Sequence, residues 1–264
     1  VRVKPPKRDE PQDFGQRIID AVNADTVLVS VMWVNNETGF ITDTAKLYAA
    51  VKRKNPGTIM HVDAVQGFCK LPAKLLKADL ISLSAHKIHG VKGIGALYCA
   101  KGMRFEPLIY GGGQQKNLRS GTLNVPGIVG TGLAGEEAYQ DFESKTKRLS
   151  ALREKLRCAL KEIEGVTVQT PEEPYCAPHI INACFSGVRS EVLLHALEDK
   201  GIYVSSGSAC ASHHPSDKST LMEMGFPKDV TDSVIRFSLS GYNAEEEIET
   251  VVTAIRELLP VLRR

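Results

Sequence analysis

The chain has 264 residues, with 33 Lys and Arg against 31 Asp and Glu and a net charge of +2. That balance offers no basic face to nucleic acid, and the short basic stretch Lys4 to Lys7, closely followed by acids, reads as a solvated terminus. No run approaches the roughly 20 apolar residues of a membrane helix and no apolar segment follows the basic start, so the expectation is a cytoplasmic protein without a membrane partner.

Phe14, Ile18, Ile19 and Val22 recur at helical spacing, which predicts an amphipathic helix over 13–23. The apolar, β-branched run 26–34 reads as a buried strand, ended by Asn35-Asn36-Glu37-Thr38-Gly39. A helix over 43–54 stops at Asn55-Pro56-Gly57. Strands follow at 58–62, 80–84 and 94–99, with a short helix from Pro72 between the first two. Strands alternating with helices at this spacing predict an α/β domain built on a largely parallel sheet with helices on both faces.

After Pro126 the texture changes. A long helical region over 127–163, bent near Asp141, leads to short strands at 166–170 and 180–185 and a helix over 191–200. A strand runs into Val204, Arg236 lies in an apolar strand over 234–239, and a closing helix runs from Ala244 to about Leu259, before Pro260. The expected division is residues 1–140 as part of one large domain and 141–264 as a smaller α+β domain.

Six cysteines, at 69, 99, 158, 176, 184 and 210, form no C-x-x-C pair, which argues for reduced thiols and against structural zinc. Cys210, with His213 and His214 close behind, lacks the spacing of a metal site, so no metal is expected. Gly93-x-Gly95 and Gly111-Gly112-Gly113 are turn glycines that make no dinucleotide fingerprint.

In open parallel sheets, ligands bind beyond the carboxyl ends of the strands. Asn36, Asp63, Gln66, Ser84, His86 and Lys87 all fall at or just past such ends. A lysine buried there would lose its proton readily, as Schiff-base chemistry requires. Taken alone, it is more often a loop lysine reaching solvent. Asp63 at a buried strand end needs a cation, which a protonated pyridine nitrogen would supply; alone, it more often caps a turn.

Five segments stand in one order: 34–39, 61–66, 84–90, 118–122 and 205–210. They read Val-Asn-Asn-Glu-Thr-Gly, His-Val-Asp-Ala-Val-Gln, Ser-Ala-His-Lys-Ile-His-Gly, Leu-Arg-Ser-Gly-Thr and Ser-Ser-Gly-Ser-Ala-Cys. Together the segments resemble the cysteine desulfurases, NifS/IscS-like members of the class V aminotransferase group. The resemblance implies a pyridoxal 5'-phosphate (PLP) enzyme of the type I transferase fold, with an incomplete large-domain sheet. It implies that Lys87 is the Schiff-base lysine and proton shuttle, that Asp63 pairs with the pyridinium nitrogen, and that Gln66 bonds the phenolic oxygen. Asn36 then lies near the ring and the substrate carboxylate, which Arg236 forks with two hydrogen bonds; an ordinary surface ion pair is the bland alternative for that arginine. Ser84 and His86 hold the phosphate, and Thr122 reaches the phosphate in a neighbouring subunit of a homodimer. Cys210 attacks the sulfur of L-cysteine, leaving alanine and a persulfide for a sulfur-acceptor or iron–sulfur scaffold protein.

Against the family pattern, no early glycine- and threonine-containing phosphate loop and no ring-stacking histidine precede Val29. The expectation is a fragment, a truncated product or one part of a split protein. Two alternatives stand beside the desulfurase: a selenocysteine lyase or other class V PLP enzyme, and a non-catalytic dimerisation or acceptor-binding module.

Overall fold

The structure, a computed structural model, describes residues 1–6, 10–104, 106–206 and 220–263. Helix α1 (Asp13–Ala21) leads to strand β1 (Leu28–Met32), helix α2 (Thr44–Lys54) and strand β2 (Ile59–Asp63). Strands β3 (Leu80–Ser84) and β4 (Gly95–Cys99) complete one sheet in the order β1-β2-β3-β4. The first three strands run parallel and β4 pairs antiparallel with β3. The sheet is thus mixed but mostly parallel, in line with the α/β expectation.

Local chemistry sets the crossover from β1 to β2. The Asp43 side chain accepts from Lys46 N at 2.9 Å and caps α2. At the other end, Asn55 Nδ2 donates to the carbonyls of Asn23 and Ala24, and Thr58 Oγ1 donates to Thr26 O. The buried carboxylate of Asp79 receives Lys52 Nζ at 2.7 Å, Met60 N at 2.8 Å and Tyr48 Oη at 3.1 Å. Three donors offset the desolvation that would otherwise make this burial costly.

The long helical region is two helices, α3 (Val125–Tyr139) and α4 (Phe142–Lys161), broken where Asp141 takes a left-handed φ of 51°. Strands β5 (Val166–Val168) and β6 (Ile180–Phe185) follow, then helix α5 (Ser190–Glu198). Two helical turns, α6 (Thr220–Glu223) and α7 (Lys228–Thr231), are too short to leave a periodic signature in the sequence. Strand β7 (Val234–Ser238) and helix α8 (Glu245–Leu262) close the chain. The strand expected to run into Val204 is a single bridge, in which Ser205 and Arg236 exchange backbone hydrogen bonds of 3.1 and 2.7 Å. Helix α8 continues through Pro260, which falls in its last turn. The Arg263 guanidinium bonds the carbonyls of Ser186 and Glu164 rather than the end of its own helix.

Chain contacts define two compact units, residues 22–33 with 43–142, and residues 1–21 with 34–42 and 143–264. The first, the sheet unit, holds β1–β4, α2 and α3. The second, the C-terminal unit, holds the antiparallel sheet β5-β6-β7. Its core gathers Leu152, Leu156 and Leu160 of α4, Leu193 and Leu197 of α5 and Ile255 and Leu259 of α8 around Ile181, Phe185 and Ile235. No helix among the described residues is long and apolar enough to cross a membrane.

Candidate active site

In the sheet unit, β2 and β3 lie side by side and both end in polar residues. Asp63, the last residue of β2, is half-buried, and its Oδ1 accepts from Val65 N at 2.9 Å. Its carboxylate therefore caps the following turn, which fixes its direction. Gln66 lies in the same turn, also half-buried. Ser84 ends β3, and its Oγ bonds His86 Nδ1 at 2.8 Å. His86 and Lys87 stand in a 3₁₀ turn, Ala85–Ile88, closed by His89 in the left-handed region with φ 64°.

One expectation needs correcting. Lys87 is exposed, not buried, because its short turn presents it at the rim of the sheet. Of the two lysines on these loops, the more buried is Lys70, which is half-buried. Its Nζ donates to the Lys87 carbonyl at 2.6 Å. Burial pulls the Lys70 amine down to about 8, and the nearby Lys87 charge acts in the same direction. Burial likewise pushes the Cys69 thiol up to about 11. Among the described residues, no group of three or more His, Cys, Asp or Glu could hold a metal.

Thr122 is exposed, in the loop between a 3₁₀ turn (Gln114–Asn117) and α3. There Arg119 Nη1 donates to Ser120 O at 2.7 Å and Gly121 N to Gln114 Oε1 at 3.1 Å.

The C-terminal unit carries the remaining candidates. Asn35 Oδ1 accepts from Glu37 N and from both Thr38 N and Thr38 Oγ1, winding 35–38 into a tight turn. That turn sets Asn36, whose carbonyl accepts from Arg236 Nη1 at 2.9 Å. Arg236 is mid-strand on β7 and half-buried. Cys210, His213 and His214 lie outside the described residues.

Sequence reasoning missed two residues. Lys70 carries no motif of its own; its only signal is its place just after the Asp63–Gln66 segment. Glu37 is 7 % exposed; its Oε1 accepts from Thr220 Oγ1 at 2.8 Å, and its carbonyl accepts from Asn182 Nδ2. Glu37 stands inside a recognised segment, but nothing in the sequence connects it to Thr220, far along the chain.

Comparison with known proteins places this arrangement. The family profile described as aminotransferase class-V matches residues 1–251. The chain belongs to the class-V aminotransferase family. It is 42 % identical over 262 residues to cysteine desulfurase IscS of Proteus mirabilis, covering 98 % of this chain and 63 % of that protein. It is 41 % identical over 246 residues to a cysteine desulfurase of Sinorhizobium fredii, covering 92 % of this chain and 63 % of that one. Among solved structures, a NifS-like protein superposes with a TM-score of 0.87 at 38 % identity, covering 99 % of this chain and 68 % of its own. The class-V chain thus spans about 63 % of the length of the curated relatives it matches.

Proposed function

We propose that this chain is the lysine- and sulfur-carrying portion of a PLP-dependent cysteine desulfurase, acting in the cytoplasm as a homodimer. One observation carries the reading: in a class-V family member, Asp63, Gln66, Ser84, His86 and Lys87 gather at the carboxyl ends of two adjacent parallel strands.

The donor set fits PLP. Ser84 and His86, already joined at 2.8 Å, offer a hydroxyl and an imidazole to a phosphate. The Asp63 carboxylate, held in direction by Val65 N, offers a negative charge to a ring nitrogen. Lys87 presents its amine in the open for covalent attachment, and Gln66 follows Asp63 on the same turn for the phenolic oxygen. Thr122 is assigned to the phosphate bound in the neighbouring subunit. When bound, PLP supplies an electron sink next to the substrate α-carbon.

The chain's own residues do the rest. Arg236 takes the carboxylate of L-cysteine, its guanidinium oriented by the Asn36 carbonyl, with Asn36 beside it. Lys87 moves the proton at the α-carbon. The Cys210 thiolate attacks the substrate sulfur; the carbon–sulfur bond breaks, the sulfur stays on Cys210 as a persulfide, and the carbon skeleton leaves as alanine. The persulfide then passes to a sulfur-acceptor or iron–sulfur scaffold protein. The test is alanine release from L-cysteine by the chain completed with the family's remaining segment. Activity is expected in that protein, with sulfur transfer lost in Cys210→Ala. No alanine, or undiminished sulfur transfer in the variant, contradicts the assignment.

A second reading has its own observation. Strand β4 and helix α3 leave Leu97, Tyr98, Val129 and Leu133 at least half exposed, the mark of an interaction surface. It favours a non-catalytic dimerisation or acceptor-binding module, and uptake of PLP by the chain separates the two readings.

A further inference from the structure

The two loops that carry the cofactor candidates are tied together by a residue outside every recognised segment. The first loop follows β2. Gly67 N and Phe68 N both bond Ala64 O, at 3.0 and 2.8 Å, and Lys70 N and Leu71 N both bond Gly67 O, at 3.1 and 2.9 Å. This winding needs a bare backbone at Gly67, since a Cβ there would stand 2.5 Å from the Trp33 ring. It also places Cys69 at φ 57°, a conformation that non-glycine residues rarely adopt.

Out of this turn comes Lys70, whose Nζ reaches the Lys87 carbonyl at 2.6 Å. A lysine on a surface loop ordinarily sends its ammonium to water. Here the half-buried side chain turns back onto the protein and bonds the backbone of the candidate cofactor lysine itself, and burial pulls its amine down to about 8. The turn that it grips is also held by Ala85 N to Ile94 O at 3.2 Å, by Gly90 N at 3.0 Å and His89 N to Ala85 O, and by Ser84 Oγ on His86 Nδ1 at 2.8 Å, none of which reaches the Asp63–Gln66 turn. A charge-assisted hydrogen bond of this kind is worth about twice a neutral one.

We propose that Lys70 is a positioning residue that clamps the Lys87 carbonyl, locking the Asp63–Gln66 turn to the Ser84–Lys87 turn so that the two arms of the cofactor cradle keep a fixed separation. Lys70 acts on the cradle and not on the substrate. The proposal rests on the reading of Lys87 as the cofactor lysine.

The test uses this chain as it stands, comparing wild type with Lys70→Met and Lys70→Arg. Amide hydrogen exchange in the PLP-free protein reads the clamp directly. Losing one charge-assisted bond is expected to speed exchange across 84–90 by about tenfold. Peptides from β5–β7 should be unchanged, and Lys70→Arg should restore most of the protection. PLP uptake at Lys87, fixed by borohydride and measured on the Lys87 peptide, is expected to weaken several-fold in Lys70→Met. Wild-type exchange over 84–90 in Lys70→Met overturns the clamp. So does faster exchange over the whole sheet unit that arginine does not rescue, because that marks a general packing role. If wild type itself takes up no PLP at Lys87, the cofactor reading fails, while the exchange pattern still decides whether the clamp exists.

Discussion

Strands β6 and β4 show how differently the two compact units are built. All six residues of β6 are buried, whereas four of the five in β4 are exposed. The C-terminal unit surrounds β6 with a second strand on each side and draws core residues from three helices. Among the described residues, the sheet unit ends in β4 with no strand on its outer edge, and Gly127 is the one buried residue of α3. One unit completes its own hydrophobic core; the other keeps apolar surface and a polar strand-end cluster in the open. The cofactor candidates Asp63, Gln66, Ser84, His86 and Lys87 all belong to the open unit.

The largest expected effect tests the closed unit. Phe185 is fully buried and packs on Phe237 with ring centroids 6.3 Å apart. Phe185→Ala should cost about 3–5 kcal/mol in denaturant unfolding, through lost burial and a cavity. A loss under about 1.5 kcal/mol would mean that this core is not the tight one described. In the open unit the strongest single anchor is Asp79, with its three donors. Asp79→Asn should cost about 2 kcal/mol, followed by the unfolding of the sheet unit alone. By contrast, Tyr98→Ser on β4, 52 % exposed, should change stability by less than about 0.5 kcal/mol. Its effect should appear in sedimentation, as reduced self-association; an unchanged association state together with a large stability loss would show β4 to be covered after all.

The last effect is a pH dependence. Lys70 is pulled from its ordinary 10.5 to about 8 by burial. Between those values the unfolded chain holds a proton that the folded chain has released, so folding gains stability as pH rises. The stability of wild type relative to Lys70→Met should therefore be flat below pH 8 and rise from there toward 10.5. A difference that stays flat throughout would show that the Lys70 amine is not withdrawn from water.

The order of the longer elements was legible, because apolar runs and helical spacing are bounded by turn residues such as Asn55-Pro56-Gly57 and by Asp141; the short α6 and α7 were not, and the strand expected at Val204 proved a single bridge. The strand ends holding Asp63 and Ser84 were legible for the same reason. Exposure at Lys87 was not: a strand pattern says where a residue falls, but a four-residue turn decides which way it faces. The Lys70 clamp and the Glu37–Thr220 bond were hidden because each joins segments whose proximity exists only after folding. The stop expected at Pro260 failed: the helix runs on to Leu262, and Arg263 N still bonds Leu259 O.

The central claim is that Lys87 is the cofactor lysine, and covalent labelling tests it most directly. The chain is mixed with PLP, reduced with borohydride, digested and mapped by mass spectrometry. The account predicts one dominant phosphopyridoxyl group, on Lys87, with label lost in Lys87→Ala and reduced in Asp63→Ala. Label spread over surface lysines, or unchanged total incorporation in Lys87→Ala, would contradict it.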